Sequence, residues 1–184
     1  MFLTPEDRRM NDCIHEAGHA AAALLLGIPG IGAVVFDETD GGGGIATPKE
    51  VLTATRPLAA DYEPEPLDER HRGMAWPDLL RDATYYAAGC AAVDMIRRPE
   101  LLETAVNGAD AKMLYSAARA ALGTCCDGFA ELSFADMAAA RARHLLKPFL
   151  PRIRMAAKEL NWRGRMTCEQ IVEAMYPEAT AKSG

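Results

Sequence analysis

The chain has 184 residues, nearly half of them apolar and a quarter charged, with a formal net charge of −6. That length buries a core without disulfide or structural-metal staples, and the acidic balance excludes the overall basic footprint of a nucleic-acid binder. Five cysteines, an odd number with no C-x-x-C pair, argue against a disulfide framework or a cysteine zinc site and fit reduced thiols in a cytosol best.

Thr4-Pro5-Glu6-Asp7 opens the first predicted helix. Thr4 caps, Pro5 suits the first helical position, and the acids face the positive end of the dipole. The helix is expected to run to about Leu26 and stop at Gly27, before Pro29. The opening MFLTPEDRRMND turns polar after three residues, so no signal peptide is expected. The apolar run from Ala20 to Ile28 is too short for a membrane span, continues the helix, and reads as core. No membrane insertion is expected.

Ile31 to Phe36 reads as a strand, Asp37 to Gly44 as a turn, and Ile45-Ala46-Thr47 as a short antiparallel return. The glycine run is not a phosphate loop, because Lys49 follows Pro48 and no ATPase signature is present. Residues 56–73, rich in proline and acids, read as a long surface loop. Trp76 to about Arg98 is a second predicted helix, ended by Pro99. Its stretch from Ala87 to Ala92 is all small and permits close helix packing.

A third helix is expected from Asn107-Gly108-Ala109-Asp110 to Leu122 or Gly123. Ser133-x-x-Asp136 reads as the capping box of a long fourth helix toward Leu160, which Pro148 and Pro151 break or bend. The basic residues Arg141, Arg143, Lys147, Arg152 and Arg154 read as a solvated helix face. Thr167-x-x-Gln170 caps a last short helix to Met175, and the tail 177–184 is expected to be disordered. Cys125 and Cys126 read as buried or idle thiols rather than a redox-active pair. Together these elements predict one domain, residues 1–184, of α+β class and mostly α-helical: a helical bundle with a small edge sheet near Val34 and Ile45.

His15-Glu16-Ala17-Gly18-His19 forms an H-E-x-x-H motif inside the first helix. Side chains at i and i+4 sit one above the other, so two imidazoles share one metal ion. Glu16 projects beside them, placed to take a proton from an attacking water, as in zincin-like hydrolases. A catalytic zinc needs a third protein ligand and an open position. The metzincin extension is excluded, since Ala22 and Leu25 stand where it needs Gly and His. The candidates are therefore His71, Glu100, Glu103, Asp110, Asp127 and His144. His71 in its acidic loop and His144 in a basic helix also read as plain surface residues.

His15 to Ala20, HEAGHA, resembles the zinc site of the peptidase domain of FtsH-type ATP-dependent proteases. Ala88-Gly89-Cys90-Ala91-Ala92-Val93-Asp94-Met95-Ile96 is similar to that family's Gly-Gly-Arg-x-Ala-Glu-Glu-Ile-Ile helix. Asn107-Gly108-Ala109-Asp110 is similar to its Thr-Gly-Ala-Ser-Asn-Asp segment, two residues shorter. The resemblance spans roughly residues 8–160 and implies that Asp110 is the third zinc ligand. It implies a zinc metallopeptidase with a zincin-like mechanism. On the predicted fold, an edge strand beside the zinc is placed to hold an extended peptide by main-chain hydrogen bonds. The family's ATPase module and membrane anchor have no counterpart in the chain. A separate ATPase partner, or peptide and unfolded-protein substrates, are then required. Two alternatives stand beside this reading: a narrow-specificity protease that clips one regulatory partner, and a non-catalytic zinc-binding interaction module. The sequence does not specify an oligomeric state.

Overall fold

The computed structural model describes residues 5–28, 31–35, 44–48, 71–100, 104, 106, 108–123 and 128–177. Within them the chain is mostly helical, with one small antiparallel sheet. Helix α1 (Pro5–Leu25) carries Glu6 and Asp7 in its first turn, against the positive end of its dipole. It ends at Gly27, whose φ of 69° is a left-handed value that glycine adopts without a Cβ clash. The Gly27 amide donates to the Leu24 carbonyl (3.3 Å) and the Ile28 amide to the Ala23 carbonyl (2.8 Å). This paired closure satisfies carbonyls that the helix end leaves open.

The reversal leads into β1 (Ile31–Val35), which pairs antiparallel with β2 (Gly44–Pro48), Val34 standing opposite Ile45. Both strands pack on α1. The predicted turn lies almost wholly outside the described residues, as do 56–70 of the predicted loop, Cys125, Cys126 and the tail from residue 178.

Helix α2 (Trp76–Arg97) is the centre of the molecule. Every residue from Ala83 to Ala92 is buried, the pattern of a helix surrounded on all sides rather than lying on a core. It packs against α1, α3 (Gly108–Leu122) and α4 (Gly128–Leu146). Its run of Ala, Gly and Cys lets these neighbours approach closely. Two polar groups are buried along it. The Thr84 hydroxyl donates to the Leu80 carbonyl (2.6 Å), and Asp94 pairs with Arg98.

The fourth helix does not begin at the predicted Ser133–Asp136 box. α4 already starts at Gly128, and the Ser133 hydroxyl donates to the Phe129 carbonyl one turn back at 2.9 Å. A mid-helix serine satisfied this way has no capping role, and Asp136 is exposed. The prolines act as expected. A 3-10 turn at Lys147–Phe149 breaks the helix, and α5 (Leu150–Arg163) follows with Pro151 in its first turn. β3 (Arg165–Met166), a strand the sequence did not announce, pairs on the far side of β1 and gives the order β2-β1-β3.

Helix α6 (Cys168–Met175) has the predicted box: the Gln170 amide donates to Thr167 Oγ1 (3.4 Å) and the Thr167 amide to Gln170 Oε1 (2.9 Å). Of the basic residues, Arg141, Lys147 and Arg154 are exposed, Arg143 donates to Thr104 Oγ1 (3.1 Å), and Arg152 stacks over Tyr176. Among the described residues, no helix is long and apolar enough to cross a membrane.

Candidate metal centre

His15 and His19 stand one turn apart on α1, on the face that meets α2. Gly18 and Gly89 make that meeting possible. A Cβ on Gly18 would lie 2.6 Å from Ala92 Cβ and 2.9 Å from the Ala88 carbonyl oxygen. A Cβ on Gly89 would lie 2.5 Å from His19 Nε2 and 2.6 Å from His15 Cε1. The two imidazoles therefore rest on bare α2 backbone, at a spot where any side chain would displace them.

Asp110, in the first turn of α3, completes the group. Its Oδ2 lies 2.9 Å from His15 Nε2 and 3.0 Å from His19 Nε2, and the two Nε2 atoms are 3.1 Å apart. Among the described residues, His15, His19 and Asp110 are the His, Cys, Asp or Glu side chains close enough to share an ion. His19 Nδ1 donates its proton to the Tyr85 carbonyl of α2 at 2.9 Å. In a neutral ring this leaves a lone pair on Nε2. That lone pair faces a carboxylate oxygen and a second imidazole nitrogen, and such a convergence of acceptors needs a cation between them, either a proton or a metal.

The donor set fits a metal. With bonds of about 2.0–2.1 Å, tetrahedral zinc spaces its ligands about 3.3–3.4 Å apart, within a few tenths of an ångström of this triangle. The backbone acceptor on His19 Nδ1 is the outer partner that metal-bound histidines characteristically have. The His15 and Asp110 side chains are 25% and 21% exposed, against 4% for His19. The group is thus walled in on the α2 side and open to solvent on the other; with three protein donors, a four-coordinate ion held here would keep one position free. Glu16 is buried, with Oε1 4.0 Å from His15 Nε2.

The electrostatics follow from this crowding. Burial by itself lowers the pKa of His15, but the Asp110 hydrogen bond, the Cys90 thiol and the Glu16 charge outweigh it and push it up to about 10. Burial works against the Asp110 charge, yet the charge of His19 and the hydrogen bonds to both rings hold its carboxyl well below the usual carboxylate range. Without a metal, a proton takes the cation's place.

Among the described residues, the remaining candidates do not join the group. Glu100 and His144 are exposed, and Glu103 and Asp127 lie outside the described residues. His71 is not the surface residue its acidic neighbours suggested. It is 1% exposed, with Nδ1 3.0 Å from Ser116 Oγ on α3 and its ring edge-on to Tyr86 on α2. The Tyr85 carbonyl gave no sequence signal, since any residue presents one. Gly89 was visible only as part of a run of small residues. Cys13 and Cys90 are buried and carry no disulfide. No protein-family model and no curated protein matches this chain.

Proposed function

We propose that the protein is a zinc-dependent peptidase in which His15, His19 and Asp110 hold the metal and Glu16 is the general base. The observation that carries this reading is the arrival of Asp110, 91 positions beyond His19 in the chain, within 3.0 Å of both motif imidazoles. The likeness of HEAGHA and the Asp110 segment to the FtsH-type peptidase site supports it.

Zinc at such a site acidifies water and polarises the scissile carbonyl. The protein's own groups do the rest. The Tyr85 carbonyl fixes the ring orientation of His19. Glu16, buried beside His15, takes the proton of the attacking water as its oxygen bonds to the carbonyl carbon. Glu16 then delivers that proton to the amine as the C–N bond breaks. β2 lies at one edge of the sheet against α1, where an extended peptide gains main-chain hydrogen bonds. The proposed substrates are peptides or unfolded proteins, or proteins delivered by a separate ATPase, in the cytoplasm.

The test uses zinc-loaded protein and an unstructured protein or peptide library. Glu16→Gln is expected to keep zinc and lose roughly a hundredfold or more in hydrolysis, the scale of a lost general base. Equal turnover by variant and wild type sinks the mechanism. Zinc binding with no turnover by either assigns the site to a non-catalytic binding module.

A further inference from the structure

We infer that His71 is a positioning residue for this centre, locking α3, which carries Asp110, onto the part of α2 that orients His19. The inference rests on the metal-site reading above.

Two independent contacts define the lock. On the α3 side, His71 Nδ1 and Ser116 Oγ form a hydrogen bond of 3.0 Å, with both residues buried. Ser116 lies about 9 Å along the α3 axis from Asp110, at 1.5 Å per residue, so the two move as one rigid body. On the α2 side, the His71 ring meets Tyr86 edge-on at 6.4 Å. Tyr86 packs edge-on against Tyr85 at 5.4 Å, and the Tyr85 ring lies 5.0 Å from that of His19. Tyr85 is also the residue whose carbonyl accepts from His19 Nδ1. A continuous stack of packed groups thus runs from His19 through Tyr85, Tyr86 and His71 to Ser116. The separation of α2 and α3 at this point governs how far Asp110 stands from the two imidazoles. Metal sites tolerate errors of about 0.2 Å in ligand distance, so a small loosening of this contact reaches the metal.

The experiment measures zinc affinity by competition with a chromophoric chelator, together with the visible spectrum of the Co2+-substituted protein and the melting of the metal-free protein. His71→Ala and Ser116→Ala are each expected to raise the zinc Kd about three- to tenfold and to alter the cobalt bands. That is less than the ten- to hundredfold typical of groups bonded directly to a ligand. The double variant should be no worse than the poorer single one. His71→Asn, whose amide takes the place of Nδ1, should recover both the affinity and the spectrum. Unchanged zinc affinity and cobalt bands in a folded Ser116→Ala protein, which lacks a single oxygen, overturn the inference and leave His71 a core residue, whatever happens to melting. Wild-type protein that binds neither zinc nor cobalt overturns the metal reading itself, a result distinct from the first.

Discussion

Gly89→Ala separates metal binding from folding more cleanly than removal of a ligand does. The added Cβ would sit 2.5 Å from His19 Nε2, 2.6 Å from His15 Cε1 and 2.7 Å from His15 Nδ1, against the 3.4–4 Å of ordinary contact. At least one ring must therefore retreat by about 1 Å, several times the roughly 0.2 Å a metal site tolerates. Neither ring moves without loss, since His19 is tied to the Tyr85 carbonyl and His15 to Asp110. Zinc affinity is expected to fall by at least ten- to a hundredfold, about the scale set by disturbed ligand orientation. Folding suffers far less. Overpacking costs about 1–3 kcal/mol, and Ala offsets about 1 kcal/mol of that through its helix propensity over Gly. At about 2–4 °C per kcal/mol for a chain of this size, the metal-free protein should melt only a few degrees lower. Chelator competition and metal-free thermal melts read the two quantities separately. A Gly89→Ala protein with wild-type zinc affinity would falsify the placement of both imidazoles against α2.

Three further outcomes are expected. Asp110→Ala should weaken zinc binding by orders of magnitude in the same titration. If Asp110 served only the dipole of α3, the variant would keep its zinc and lose about 0.3–1 kcal/mol of stability. Gly18→Ala places a Cβ 2.9 Å from the Ala88 carbonyl oxygen, a backbone atom that cannot turn aside. It should cost about 1–3 kcal/mol or more in urea denaturation, and an unchanged midpoint would contradict the close α1–α2 approach. The pH dependence should take opposite signs in the two forms. The His15 pKa rises on folding from 6.5 to about 10, so its share of metal-free stability is complete below pH 6.5 and lost as pH climbs toward 10. The depressed Asp110 carboxyl contributes above its ordinary value of 3.8 and is lost as pH falls below it. Zinc must displace the His15 proton, so zinc affinity should instead rise with pH, about tenfold per unit for one proton. Affinity flat between pH 6.5 and 8.5 would remove that proton from the site.

Local features settle their own geometry, and these were legible in the sequence. The order and type of the main helices, the stop at Gly27, the β1–β2 pair, the break at Pro148 and Pro151 and the Thr167 cap depend on interactions within a few residues. So does the i, i+4 placement of His15 and His19 with Glu16 between them. Ser133 shows where local logic fails, because a hydroxyl satisfied one turn back on Phe129 has the same sequence signature as a cap. Asp110 was one of six candidate ligands on the residues alone, and only its likeness to a known segment singled it out. Whether its carboxylate reaches the imidazoles depends on how α3 packs against α2, a matter of shape between segments far apart in the chain. The same holds for Gly89, Tyr85 and His71. What they contribute is a missing side chain, a backbone carbonyl and a ring in contact with two helices, and none of these exists until the helices meet.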